Sequence, residues 1–296
     1  MTYQSTTISD GLNTLPKLPP WVTSRRAETP EDVAFLSGAA LSHLHLVLNR
    51  DEVPQSLLRE RLALRGAEAC VAFSGRPERA GELRDAVQFL QQGDNPGPAG
   101  EIYLSWMRAV ERPVSVKALH RALPAAQAGQ IGAWLDAGQG RPITRAAGVL
   151  QTVLADRPRD QTAAVLVADA ALAQALGWTH VVPLLALGLN RGDLRKTGAE
   201  LRPACHLAVT AAVAEANREA ADLTRRVARL KAVAPKLRAK GAEEALALFL
   251  TCDAVAPTAL TSLRSGRAAR RFCDRLVELG AVRELTGRDT FRLYGI

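Results

Sequence analysis

The sequence predicts a mainly α-helical protein, with a large helical N-terminal domain followed by a small C-terminal unit of helices and a β-hairpin. Three observations carry this. Apolar residues make up 47% of the chain but aromatics only 4%, and alanine and leucine dominate the apolar set. Apolar positions recur at three- and four-residue steps, the spacing that gives a helix one buried face. Runs of Val and Ile bounded by turn residues, the mark of strands, are almost absent. At 296 residues the chain exceeds the usual length of one domain, so two are expected.

Residues 1–28 are polar and broken by "LPKLPP". They read as a flexible arm that becomes ordered near Trp21. The helical domain follows over residues 29–235. Thr29 is placed to cap the first helix, "PEDVAFLSGAALSHLHLVLN", with Pro30 at its first position and Glu31 and Asp32 complementing the dipole. "PQSLLRERLALRGAEACVAF" brings Leu57, Leu58, Leu62, Ala69 and Phe73 near helical spacing. "PERAGELRDAVQFLQQ" is stopped by "GDNPGP". Short helices then lie between Pro113, Pro124, Pro142 and Pro158. "DQTAAVLVADAALAQAL" and "VVPLLALGL" suit the buried centre of the domain. From Pro203 a long amphipathic pattern runs to Ala234, with Leu223, Val227, Leu230 and Ala234 as its seam, and Pro235 ends it. Lys236, Arg238, Lys240 and Gly241 form a polar hinge.

No basic-then-apolar signal region opens the sequence, and no apolar run approaches the roughly 18 residues of a membrane span. A cytoplasmic protein without a membrane partner is the expectation. Cys70, Cys205, Cys252 and Cys273 are widely scattered and read as small buried thiols in a reducing compartment. Net charge is +8, and its distribution is lopsided. Residues 221–296 hold 15 Lys/Arg against 8 Asp/Glu, whereas residues 1–220 hold 23 against 22. Positive charge gathered in the last quarter of the chain points to a polyanion, nucleic acid before membrane surface.

From Ala242 the chain changes character, and 8 of those 15 Lys/Arg lie in residues 242–296. "AEEALALFLTC" reads as a helix with Leu246, Phe249 and Leu250 on one side, and "PTALTSL" as a second helix opened by Pro257. "RSG" turns the chain, and "RAARRFCDRLVELG" forms a third helix closed by Gly280. "VRELTGRDTFRLYG" reads as a hairpin in which Gly287 supplies the permissive turn. Helix, helix, turn, helix, hairpin is the order of a winged helix-turn-helix domain. In the third helix Ala269, Phe272, Cys273, Leu276 and Leu279 share one face, while the arginines point largely the other way. In the second strand Phe291 and Leu293 alternate with Arg292 and Tyr294. The candidate DNA-binding residues are Arg264, Arg267, Arg270, Arg271 and Arg275 on and before the third helix, and Arg283, Arg288 and Arg292 on the hairpin. The helix would enter a major groove and the wing would reach phosphates or a minor groove.

The expected function is therefore non-enzymatic DNA binding, in regulation or replicon maintenance. The alternatives are a protein–protein adaptor, as in a chromosome-segregation assembly, or a homodimer, with the winged domain contacting protein. Other constellations are weaker. His43 and His45 lie on different faces of a helix, and His120, His180 and His206 lack ligand-spaced companions, so no metal is expected. "GLNRGDLRK" lacks the Gly-Lys-Ser/Thr ending of a phosphate loop and reads as a turn in which Asp193 and Arg195 pair. No nucleophile elbow or spaced carboxylate pair appears, and no cofactor is implied.

"LPPWVTSRRAETPEDVAFLSGAALSHLHLVL", "VVPLLALGLNRGDLR" and "RAARRFCDRLVELGAVRELTGRDTFRLYGI" together resemble the proteobacterial domain-of-unknown-function 1403 family over nearly the whole chain. The resemblance implies a bacterial protein and no particular activity. "LVELGAVRELTGRDTFRLYGI" is also similar to the winged-helix tail of many Fic-type AMP-transferases. Those enzymes use a His-Pro-Phe…Gly-Asn-Gly-Arg loop, in which the His deprotonates the target hydroxyl and the glycines cradle phosphates. This chain has neither motif, so that resemblance implies at most a Fic-like helical body without the catalytic loop.

Overall fold

The computed structural model describes residues 15–24, 29–91, 93–288 and 290–296, which form thirteen α-helices and one two-stranded sheet. Residues 1–14 and 25–28 of the expected arm lie outside the described residues. Helix α1 is Pro20–Ser24, with Val22 buried. Helix α2, Pro30–Leu48, starts as the sequence indicates. The Thr29 hydroxyl accepts from the Asp32 amide, and the Asp32 carboxylate accepts from the Thr29 amide, both at 3.1 Å. Two of the four unpaired donors of a helix start are thereby satisfied reciprocally.

Helices α3 (Gln55–Phe73), α4 (Ala80–Gln88), α5 (Gly97–Glu111), α6 (Val116–Ala122), α7 (Ala128–Ala137) and α8 (Pro142–Asp156) follow. Helix α9, Gln161–Ala175, is buried at every position from Ala163 to Ala173 and packs on α3, α5, α7, α8 and the short α10, Leu184–Gly188. Buried polar groups need partners, and Asp169 in the middle of α9 has them. Its carboxylate accepts from the amides of Leu185 and Ala186 at 2.8 and 3.1 Å, serving from a distance as the cap of α10. Burial nevertheless pushes this carboxyl up to about 8.

Helix α11 begins earlier than the sequence suggests, at Gly198, and runs to Val233 with Pro203 inside it. Pro203 is the sixth residue of the helix, past the amides that lack an intrahelical acceptor, so it leaves the Ala199 carbonyl without its i→i−4 donor. Its 36 residues span about 54 Å at 1.5 Å per residue. Leu223, Val227 and Leu230 are buried as expected, but Val233, not Ala234, completes the stripe. Ala234–Lys236 tighten into a 3-10 turn.

In the C-terminal region α12 is Ala242–Thr251 and α13 is Gly266–Glu278. Strand β1, Arg283–Glu284, pairs antiparallel with β2, Tyr294–Gly295. The expected helix over "PTALTSL" is a 3-10 turn, Pro257–Ala259, followed by turns. With Pro257 at the start and two threonines and a serine in seven residues, too little favours a longer α-helix. The buried face of α12 centres on Ala242, Ala245 and Phe249, with Leu246 and Leu250 half-buried beside it. Buried apolar residues from Val22 to Ile296 join in one cluster. Among the described residues no helix is long and apolar enough to cross a membrane.

Three of the four thiols are buried and Cys252 is half-buried; all four are free. Asp193 pairs with Lys196 at 2.6 Å rather than with Arg195, and Asn190 accepts from the amides of Gly192 and Asp193. "GLNRGDLRK" is thus a self-contained polar turn. Among the described residues no group of three or more His, Cys, Asp or Glu could hold a metal ion.

Candidate nucleic-acid interface

Helix α13 is the most sharply amphipathic helix of the chain, and its start is fixed locally. The Ser265 hydroxyl accepts from the Ala268 amide at 3.2 Å, in the manner of an N-cap. Ala269, Phe272, Cys273 and Leu276 are buried, and Leu279 is half-buried beside them. The opposite face carries Arg267, Arg270, Arg271 and Arg275, all exposed, with Arg264 exposed in the preceding turn. Arg275 is held by Glu278 at 2.8 Å. Arg264, Arg267, Arg270 and Arg271 make no ion pair or hydrogen bond among the described residues. Positive charge therefore concentrates on the first two turns, where the helix dipole is also positive.

Gly280 closes the helix with φ +63°, a conformation that costs little only for glycine. A Cβ there would also lie 2.5 Å from the Arg229 guanidinium of α11. Arg229 is thus seated at the C-terminal end of α13, where its charge complements the dipole. Arg226, also on α11, stands close to Arg283 and is paired with Asp222 at 2.5 Å. Arg283 is exposed on β1, and partial burial together with the charges of Arg226, Arg61 and Arg84 lowers its pKa. The α11 arginines belong to this surface, and their distance in sequence hid them.

The hairpin is pinned by more than its own two strands. Val255, in the chain between α12 and the 3-10 turn, forms a bridge with Tyr294 through two hydrogen bonds of 2.8 and 2.9 Å. Tyr294 therefore lies between Val255 and Glu284, at the centre of three extended segments. A lone valine flanked by Asp253-Ala254 and Ala256-Pro257 gives no strand signal in the sequence. The predicted alternation of Phe291 and Leu293 inward against Tyr294 outward is corrected. Leu293 and Tyr294 are both buried, whereas Phe291 has φ +56° and is 70% exposed. That left-handed residue breaks the period-two pattern before the strand begins. Gly287 supplies the positive φ expected of it, and Asp289 lies outside the described residues.

The two groups of candidate arginines have different surroundings. Arg288, at the hairpin tip, pairs with Asp85 of α4 at 2.5 Å. Phe291 meets Phe89 edge-to-face with ring centroids 5.7 Å apart. Arg292 donates to the Arg288 carbonyl at 2.9 Å and stands against Tyr294 and Glu284. The wing tip thus rests on the helical body, while the N-terminal half of α13 faces solvent with its guanidinium groups uncommitted.

The architecture defines a mainly helical protein whose C-terminal β-hairpin lies beside a basic, amphipathic helix. The chain belongs to the family described as protein of unknown function (DUF1403), whose pattern matches residues 5–296. No curated protein matches it.

Proposed function

We propose that this protein binds duplex DNA, with residues 242–296 acting as a winged helix-turn-helix whose second helix has shrunk to a 3-10 turn. The observation that carries the reading is the set of four uncommitted arginines, Arg264, Arg267, Arg270 and Arg271, around the N-terminal half of one exposed helix face. Guanidinium groups so placed suit phosphate oxygens and guanine edges. The position of Val255 beside Tyr294 supports it, since the first strand of such a domain pairs with the last. The reading is non-enzymatic, sets the protein in the cytoplasm, and suits regulation or replicon maintenance. It owes nothing to the Fic-type tail.

The adaptor reading rests on a separate observation. Val277 and Phe291 are exposed apolar side chains in the same segment, at 39% and 70%. They suit a protein partner better than phosphate.

Fluorescence anisotropy with a labelled duplex and the full chain tests the proposal. Binding should weaken steeply with salt, by roughly one unit of log–log slope per phosphate contact. The variant with Arg264, Arg267, Arg270 and Arg271 all changed to Ala should lose most of it. Absence of salt-sensitive binding, or equal binding by that variant, overturns the proposal and leaves the adaptor reading.

A further inference from the structure

Between α3, α5 and the end of α12 lies a cavity of about 470 Å³ that none of the preceding roles uses. Leu104 and Met107 of α5 give it an apolar wall, and Arg108 lies one turn on from Leu104 on the same face. Arg59 of α3 also lines it, and Thr251 and Cys252 line it from the end of α12. Volumes of about 300–1,000 Å³, apolar walls and a few polar groups are the usual make-up of a small-ligand site.

The polar groups show which ligand would fit. Arg59 donates through Nη2 to the Ser56 hydroxyl at 3.3 Å, but its Nε is shielded from solvent and has no hydrogen-bond partner. A buried donor left idle costs on the order of 1–3 kcal/mol, so something is expected to meet it. Arg108 is half-buried and has no ion pair among the described residues. Of the two carboxylates in the lining, Glu60 also lies close enough to Arg59 for their charges to interact. Glu60 accepts from the Asp253 amide at 2.8 Å, and Glu111 pairs with Arg121 at 3.2 Å. The idle Nε of Arg59 and the unpaired Arg108 guanidinium beside an apolar wall are complementary to a carboxylate on an apolar body.

We propose that this cavity binds a small organic acid, its carboxylate between Arg59 and Arg108 and its apolar body against Leu104 and Met107. The site stands whether or not the chain binds DNA. Cys252 follows from its position as a built-in reporter, because it lines the cavity and is the one thiol of the four that is not buried.

The test is alkylation of the folded full-length chain by neutral iodoacetamide, with modification of Cys252 read by mass spectrometry. Benzoate and octanoate are the probes, and benzyl alcohol and octanol their uncharged counterparts. At least one acid should slow Cys252 alkylation about tenfold when present well above its dissociation constant, with the alcohols far weaker. Arg59→Lys should keep part of the protection, and Arg108→Gln should lose most of it. Circular dichroism melts of each variant show whether it is folded. Protection that is equal with acid and alcohol, or that survives in a folded Arg59→Ala, Arg108→Gln double variant, overturns the proposal. So does an unchanged alkylation rate with both acids at roughly 10 mM, where a millimolar site would be nearly filled.

Discussion

Asp253 forms an ion pair with Arg61, and the two join the C-terminal region to the helical body. Asp253 is 1% exposed, and its second carboxylate oxygen accepts from Arg84 Nε at 2.7 Å. Arg61 also reaches Glu219 of α11 at 3.3 Å and the Ile296 carbonyl at 3.1 Å. One aspartate thus gathers arginines from α3 and α4, and one of those arginines holds the final residue of the last strand segment. Removing one member of a buried pair strands the other's charge, typically at a cost of about 3–5 kcal/mol. Asp253→Ala should destabilise the protein by that order in urea unfolding. A loss near zero would mean that apolar packing alone holds the C-terminal region in place.

Asp169 predicts a pH dependence of stability. Its folded pKa of about 8 lies above the ordinary 3.8, because burial outweighs the amides of Leu185, Ala186 and Leu184. Folding therefore favours the protonated form. This group's contribution is full below its unfolded pKa and declines as pH rises towards 8. Between those limits the decline approaches about 1.4 kcal/mol per pH unit at most. Asp169→Asn, near-isosteric with the protonated carboxyl and unable to ionise, should flatten the profile. Urea midpoints at about pH 5, 7 and 9 check this. Parallel profiles for the two proteins would show that Asp169 does not titrate there.

Gly280 should resist substitution for two separable reasons. Alanine at φ +63° carries a backbone penalty of about 1–2 kcal/mol, and its Cβ would displace the Arg229 guanidinium. Gly280→Ala should therefore cost more than the backbone term alone. In an Arg229→Ala background the cost should fall towards that term, which a double-mutant cycle measures. Equal costs in both backgrounds would mean that Arg229 yields freely.

What was legible in the sequence was whatever rests on local chemistry. Thr29, Pro30 and Asp32 announce α2 because a capping box is complete within four residues. The two faces of α13 are visible because helical period alone separates Phe272 and Leu276 from Arg267 and Arg271. Features made by tertiary contact were hidden. Val255 becomes extended only because Tyr294 lies beside it, and Arg226 and Arg229 reach the basic surface only through the course of α11. Asp253 gives no sign of its role, because its partners lie 192 and 169 positions earlier in the chain. Phe291 shows the opposite failure. Its alternation with Leu293 is present in the sequence, but one left-handed residue cancels it.

A hairpin arginine on a phosphate would make Arg288→Ala weaken binding to every sequence alike. The structure instead commits Arg288 to Asp85, with the two side chains 53% and 20% exposed. Pairs this open to solvent are worth about 0–1 kcal/mol, so a nearby phosphate could compete for the guanidinium. Asp85 then acts as the wing's resting partner. In duplex-binding titrations of the full chain, Arg288→Ala should change affinity little. Asp85→Ala should raise it, by up to about fivefold, the most that freeing a pair worth 1 kcal/mol allows. The double variant should fall back to the Arg288→Ala level, because the gain requires a free Arg288. Arg270→Ala and Arg271→Ala, whose side chains have nothing to release, should weaken binding in either background. If Asp85→Ala leaves affinity unchanged while Arg288→Ala weakens all duplexes equally and flattens the salt dependence, the wing already holds phosphate with its tip as it stands, and Asp85 is no competitor.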